Sequence, residues 1–210
     1  AGLGARRLSI IDIENGHQPI TNENETMWIV FNGEIYNYLA LRDLAIQKGH
    51  TLKTKSDTEV ILHLYEEFGA DCLLYFSGMF SFAIWDDHKK ELFVARDKTG
   101  IKPLYYTQTK NFLVFGSEMK VLMQHPEVDR KINLNSLNQY LTYEYVPTPG
   151  TILQDIFRLE PGHFFRHSAV GFKICKYWQP DMRESETNHI PNEMEEKEKL
   201  YATLEAAVKE

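Results

Sequence analysis

The sequence predicts an α+β fold in which antiparallel β-structure is covered on both faces. Between residues 79 and 116, short aromatic and β-branched runs alternate with charged or polar turns, which is typical of an antiparallel meander. Several of these runs are apolar on both faces, so both faces of the sheet should be covered. Residues 37–48 and 57–68 carry apolar residues at helical spacing and can supply such cover.

Two further strands are predicted in the first third of the chain, at residues 8–13 and 27–31, because both runs are apolar and contain β-branched residues. Asn32 and Gly33 follow the second run. Both residue types tolerate a positive φ, so the pair predicts a turn that ends this strand.

The helix at residues 57–68 has the clearest pattern, with one apolar stripe and Gly69 at its end. Ser56 or Asp57 can cap its N-terminus. Glu59 stands at the capping-box position relative to Ser56. The pattern therefore predicts a capped helix that begins near Asp57.

The second half of the chain is expected to complete this domain and then leave it. Helices are predicted at residues 117–123 and 134–143, and a closing pair of strands within 151–178. Residues 179–192 are polar, contain two prolines and have no periodicity, which indicates a linker. Residues 193–210 have a charged helical pattern that stops in mid-period, so we expect a second domain to begin there.

Composition and charge exclude several classes of partner. The chain has 210 residues and a formal net charge of −7, which argues against nucleic acid because phosphate binding needs a basic surface. No membrane partner is expected, since there is no polybasic patch and no apolar run of the roughly 18 residues that span a bilayer. Cys72 and Cys175 are far apart and in no CxxC pattern, so a reducing cytoplasm is the expected location.

No metal site and no cofactor are expected within this chain. The phosphate-loop, dinucleotide-binding and zinc-protease motifs are absent. His163 and His167 are close in sequence but lie in a predicted strand, not on one helix face. Cys72 has no basic neighbour and Cys175 lies in a late strand, so we interpret both as small hydrophobic residues and not as nucleophiles.

The segment that begins with Asn32 and Gly33 is the first candidate for chemistry. An amide side chain and a backbone N–H at a strand end can point at one spot and stabilise a developing oxyanion. Residue types alone favour the other interpretation, a plain turn.

Arg7 and Asp57 provide a second candidate, an amino-acid site. Arg7 stands before a predicted strand and can bind a carboxylate in bidentate fashion, although a surface salt bridge would use the same residue. Asp57 can bind an ammonium group, although a helix cap is its ordinary role. Together, one arginine and one or two carboxylates suit a zwitterionic amino acid.

Ten short segments extend this interpretation. In chain order they are residues 6–12 (RRLSIID), 32–37 (NGEIYN), 56–61 (SDTEVI), 78–86 (GMFSFAIWD), 95–97 (ARD), 100–106 (GIKPLYY), 117–120 (SEMK), 145–147 (YVP), 161–163 (PGH) and 177–178 (YW). In order and approximate spacing they resemble the glutaminase domain of glutamine-hydrolysing asparagine synthetases. The helix at residues 193–210 is similar to the one that enters the family's synthetase domain.

The resemblance implies a fold, an activity and a domain plan. The fold would be the four-layer α-β-β-α sandwich of the N-terminal-nucleophile class. Residues 1–178 would be the type 2 amidotransferase domain, 179–192 a linker and 193–210 the first helix of the synthetase domain. Glutamine would be hydrolysed to glutamate, and the ammonia would convert aspartate to asparagine in the linked synthetase domain. ATP and Mg²⁺ would bind in that domain, and the full-length protein could be a homodimer.

By the same resemblance, each candidate residue has a role in the glutamine site. Arg7 would bind the α-carboxylate of glutamine. Asn32 and Gly33 would form the oxyanion hole, and Glu34 and Asp57 would hold the α-amino group. Four consecutive residues would line the pocket: Leu8, Ser9, Ile10 and Ile11.

Two family features are absent from these 210 residues. One is the N-terminal cysteine whose own α-amine acts as base, and the other is the Ser-Gly-Gly-x-Asp-Ser pyrophosphate loop of the synthetase domain. The chain also does not begin with Met. We therefore expect a truncated sequence that is inactive by itself.

Three alternatives share the observed pattern. One is another amidotransferase of the same class, such as glucosamine-6-phosphate synthase or the phosphoribosyl-pyrophosphate enzyme. The second is an asparagine-synthetase-like enzyme that amidates a different carboxylate, and the third is a non-catalytic glutamine-binding module. Residues 78–86 and 100–106 look closer to the asparagine synthetase branch.

Overall fold

Two antiparallel β-sheets form the centre of the protein. The computed structural model describes residues 1–6, 16–182 and 192–209, and the contacts divide the chain into two units, Ala1–Gln179 and Pro180–Glu210. In the first unit, the larger sheet has the order β1-β2-β3-β4-β8-β9 and the smaller one β6-β5-β7. The strands are β1 Ile20–Thr21, β2 Met27–Ile35, β3 Gly78–Asp86, β4 Glu91–Arg96, β5 Tyr105–Gln108, β6 Leu113–Gly116, β7 Phe157–Arg158, β8 His163–Ser168 and β9 Gly171–Lys176.

The described helices confirm most of the predicted ones. They are α1 Tyr38–Gln47, α2 Asp57–Phe68, α3 Met119–Leu122, α4 Leu134–Tyr143 and α5 Glu193–Lys209, with a 3₁₀ turn at Gly69–Leu74. The predicted strand at residues 8–13 lies outside the described part of the chain. Among the described helices, none combines the length and the apolar character needed to cross a membrane.

Three apolar clusters show how the layers stack. The first lies between α1, α2 and one face of the larger sheet, where Ile29 and Phe93 meet Ile61. The second lies between the two sheets, where Val94 packs with Tyr106. The third lies on the outer face of the smaller sheet and contains Leu122 of α3. The order of layers is helix, sheet, sheet, helix, so the α+β prediction with two antiparallel sheets is confirmed.

The single meander predicted for residues 79–116 is wrong in one respect. All four strands are present, but β3 and β4 belong to the larger sheet while β5 and β6 belong to the smaller one. The connection after β4 turns at Asp97, whose buried carboxylate accepts N–H groups from Thr99, Ile101 and Lys102. Arg96 reinforces the turn by donating to the carbonyl oxygens of Gly100 and Lys102. This polar loop carries the chain from one sheet to the next.

The predicted end of the second strand at Asn32 and Gly33 is also wrong. Strand β2 continues through both residues, with Asn32 opposite Ser81 and Gly33 opposite Phe80 of β3. Gly33 has φ 155°, and a Cβ there would lie 2.1 Å from the carbonyl oxygen of Met79. Only glycine fits so close an approach of two backbones, which explains the residue type without a turn.

Helix α2 is capped, but the predicted capping box does not form. The Ser56 hydroxyl accepts the N–H of Thr58 at 3.2 Å, as expected of an N-cap. Glu59 instead accepts the N–H groups of Lys53 and Thr54, at 2.7 and 2.6 Å. Its carboxylate therefore anchors the loop before the helix.

Candidate active site

The outer edge of β2 meets the N-terminus of α2. The N–H of Phe31 donates to Gln18 Oε1 at 2.7 Å, and the N–H of Ile35 donates to Asp57 Oδ2 at 3.1 Å. Alternate N–H groups of a strand point to the same edge. The N–H of Gly33 therefore points to this edge as well, between the Gln18 amide and the Asp57 carboxylate.

Asp57 is held in place by the start of its own helix. Its side chain is buried, and Oδ1 accepts the N–H of Thr58 at 2.9 Å. Gln18 makes a second connection between the strand edge and the helix, because its amide Nε2 donates to Thr58 Oγ1 at 3.4 Å. The strand edge and the helix N-terminus are thus joined at two points, which fixes the Asp57 carboxylate relative to β2.

Asn32 and Glu34 point to the opposite face of β2 from Ile35, since side chains alternate along a strand. Val30, two residues before Asn32, belongs to the cluster between the sheets, so this is the face toward the smaller sheet. The Asn32 side chain is exposed, and its amide Nδ2 donates to Ser117 Oγ at 3.2 Å. Ser117 follows β6, so this hydrogen bond connects the two sheets at an accessible place.

The structure places four of the nine predicted site residues in one region. Asn32, Gly33 and Glu34 occupy the end of β2. Asp57 accepts a hydrogen bond from the N–H of Ile35, the last residue of that strand. The five others lie outside the described residues: Arg7, Leu8, Ser9, Ile10 and Ile11. Their roles stay predictions.

Sequence patterns missed two residues that orient this region, Gln18 and Ser117. Gln18 precedes a proline in an irregular segment, and Ser117 follows a strand 85 positions from its partner Asn32. A local pattern carries no signal for either contact, because each depends on how distant segments pack.

Cys72 offers little nucleophilic character. Cys72 and Cys175 are both free thiols, and Cys72 is fully buried in the cluster under α2. Burial raises the pKa of the Cys72 thiol far above its ordinary value, and the charge of Asp71 raises it further. Because the thiolate is the attacking species, Cys72 is unsuited to glutamine hydrolysis.

A second polar cluster lies on the helix side of the larger sheet. It brings together Glu23, His50, His63 and Glu66, whose potential ligand atoms all lie within 4.8 Å of one another. Sequence analysis overlooked it, although His63 and Glu66 have the spacing of one helix face. The other two residues come from separate loops.

Comparison with known proteins gives relatives that share this domain. Asparagine synthetase [glutamine-hydrolyzing] 1 of Bacillus subtilis is 41% identical over 97% of this chain and 32% of its own length. Asparagine synthetase [glutamine-hydrolyzing] 2 of the same organism is 50% identical over 84% of the chain and 24% of its length. The chain thus spans about a third or less of these two relatives.

Solved structures of lower sequence identity share the fold. Glutamine phosphoribosylpyrophosphate amidotransferase from Bacillus subtilis superimposes with a TM-score of 0.54 over 78% of this chain and 32% of its own, at 21% identity. This likeness agrees with the predicted N-terminal-nucleophile type of fold. A family model described as a glutamine amidotransferase domain matches residues 1–178. The chain therefore belongs to the glutamine amidotransferase domain family.

Proposed function

We propose that this chain is the glutamine-hydrolysing part of an asparagine synthetase. It would release ammonia from glutamine for the ATP-dependent conversion of aspartate to asparagine in a linked synthetase domain. The observation that carries the proposal is the fixed edge of β2, where the Asp57 carboxylate bonds to Ile35 and the N–H of Gly33 points to the same edge. The names of the relatives support the choice of asparagine as the product.

The chemistry of glutamine suits this region. The α-ammonium group needs a carboxylate, which Asp57 and Glu34 provide from two elements. Attack on the side-chain amide produces an oxyanion, which needs preorganised donors. The N–H of Gly33 is one, and Asn32 is the other because its amide nitrogen has two hydrogens. One of them binds Ser117 Oγ, which orients the group, and the second suits the oxyanion.

Arg7 would supply the cation for the α-carboxylate, and residues 8–11 would line the pocket. The buried state of Cys72 supports an N-terminal cysteine of the full-length protein as the nucleophile, with its own α-amine as the base. The acyl-enzyme formed with release of ammonia is then hydrolysed to glutamate.

The remaining parts of the proposal concern the full-length protein. Residues 179–192 would link the amidotransferase domain to a synthetase domain that begins with residues 193–210. Glutamine would bind here, and ATP and Mg²⁺ in the synthetase domain. Two free cysteines favour a reducing compartment, the cytoplasm. A homodimer of the full-length protein is also proposed.

Isotope transfer tests this function. The full-length protein is incubated with glutamine labelled with ¹⁵N in its side-chain amide, together with aspartate, ATP and Mg²⁺. We expect equal amounts of glutamate and of asparagine that carries ¹⁵N in its side chain. If labelled ammonia forms without labelled asparagine, the proposed glutaminase activity stands, but aspartate is not the acceptor of the ammonia. Absence of glutamate release would contradict the proposal as a whole.

The 210-residue chain is the matched control for this experiment. It contains the candidate glutamine site but no N-terminal cysteine, so its glutamate release should not exceed that of buffer. Release that disappears in a Cys72→Ala variant would show that the assignment of the nucleophile is wrong.

A further inference from the structure

The cluster of Glu23, His50, His63 and Glu66 has the dimensions of a metal site. His63 Nδ1 lies 2.9 Å from Glu66 Oε2 and 3.5 Å from Glu23 Oε2. His50 Nδ1 lies 3.3 Å from Glu23 Oε1 and 3.9 Å from Glu66 Oε2. Zinc binds imidazole nitrogen and carboxylate oxygen at about 2.0–2.2 Å, which puts tetrahedral ligands about 3.3–3.5 Å apart. The four distances bracket that value.

The residues around the cluster are arranged like the outer shell of a metal site. The second ring nitrogen of each histidine faces another carboxylate, with His63 Nε2 at 3.7 Å from Glu59 and His50 Nε2 at 3.3 Å from Glu67. Both Nε2 atoms are buried, and neither has a hydrogen-bond partner in the described part of the chain. A carboxylate is a common partner of the second ring nitrogen in a metal-bound imidazole, so Glu59 and Glu67 stand where such partners are found.

The carboxylate ligands are oriented too. The side-chain amide of Asn22 donates to Glu66 Oε1 at 2.7 Å, and the N–H of Thr51 donates to Glu23 Oε1 at 3.0 Å. His63 is 1% exposed and Glu66 is 18% exposed. His50 is 13% exposed and Glu23 is 29% exposed, so the site is partly shielded from water, which strengthens its interactions with a cation.

The charge of the cluster also calls for a cation. Four carboxylates, those of Glu23, Glu59, Glu66 and Glu67, surround two imidazole rings whose centroids are 4.5 Å apart. A single divalent ion bound between the two rings would offset part of this negative charge.

We propose that Glu23, His50, His63 and Glu66 bind one divalent cation of the zinc class. All four positions of a tetrahedral site would be filled by protein, which is the pattern of a structural metal and not of a catalytic one. The ion would join the β1–β2 connection, the loop after α1 and the middle of α2. Since α2 also carries Asp57, the metal would stabilise the helix that positions that carboxylate.

Zinc titration of the chelator-treated full chain tests the proposal. We expect one equivalent of Zn²⁺ to be held in competition with a chromophoric chelator, and the Tm to rise as the ion binds. His50→Gln and Glu66→Gln should each lower the Zn²⁺ affinity at least about 100-fold, since loss of an outer partner alone costs about 10–100-fold. Glu67→Gln, which changes such an outer partner, should fall in that smaller range.

His88→Gln is the matched control, because His88 is exposed in the turn between β3 and β4 and lies outside the cluster. It should bind Zn²⁺ as the wild type does, and circular dichroism should show that each variant is folded. Co²⁺ bound to the wild type should have the intense visible absorption of a tetrahedral site, whether or not the variants fold. The proposal would be contradicted if the wild-type protein held no equivalent of Zn²⁺, or if a folded His50→Gln protein bound Zn²⁺ with unchanged affinity. The four residues would then form only an ion cluster of histidines and carboxylates.

Discussion

Asn32→Ala in the full-length protein is expected to lower kcat for glutamine hydrolysis by about 10²–10³, the usual loss for one oxyanion donor. The reason is that the amide of Asn32, oriented by Ser117, would donate to the oxyanion that forms on the glutamine side chain. The KM for glutamine should change little, because this interaction strengthens only in the transition state. Steady-state glutamate release over a range of glutamine concentrations measures both constants.

Two controls separate this effect from damage to the fold. Asparagine synthesis from added ammonia should survive in the same variant, because ammonia bypasses the glutamine site. Asn111→Ala removes another exposed amide, in the turn between β5 and β6, and should leave kcat unchanged. If Asn32→Ala retains more than half of the wild-type kcat, Asn32 is no oxyanion donor.

Asp97→Ala is expected to lower the free energy of unfolding by about 3–5 kcal/mol. The carboxylate is fully buried and accepts four backbone N–H groups, from Phe80 at 3.2 Å, Thr99 at 3.1 Å, Ile101 at 2.9 Å and Lys102 at 3.0 Å. Its removal leaves several of these donors without an acceptor at the point where the chain passes between the two sheets. Urea denaturation of the 210-residue chain measures the change.

Asp87→Ala is the matched control for Asp97→Ala. Asp87 also follows a strand of the larger sheet, but 47% of its side chain is exposed and its partners are Trp85 Nε1 and Lys90 Nζ. Exposed pairs of this kind contribute at most about 1 kcal/mol. Equal destabilisation by the two substitutions would show that the Asp97 turn does not hold the sheets together.

Local pattern was sufficient for most of the longer elements of this fold, although it missed β1 and ended β2 too early. Alternation and β-branched residues located β3, β4, β5 and β6, and helical spacing with a cap located α2 to the residue. These signals depend on neighbours along the chain, so the sequence contains them directly. It could not show that β4 and β5 belong to different sheets, since that division depends on how Asp97 folds the loop between them.

The candidate site was predictable in residue type but not in geometry. Asn32 and Gly33 were chosen as chemistry-bearing residues, yet the turn predicted for them is a continuous strand. The constraint on Gly33 comes from the backbone of Met79, which is 46 residues away in sequence. Gln18 was missed for the same reason, because its partners Phe31 and Thr58 are brought to it only by folding.

A crystal structure with bound glutamine tests the central claim, a shared glutamine site at the edge of β2, most directly. We expect the α-ammonium group within hydrogen-bond distance, near 3 Å, of Asp57 and Glu34, and the amide oxygen directed at Asn32 Nδ2 and the Gly33 N–H. Arg7 should hold the α-carboxylate. Glutamine bound elsewhere, or Arg7 more than about 15 Å from Asn32, would contradict the claim, because direct hydrogen bonds to one amino acid cannot cover that distance.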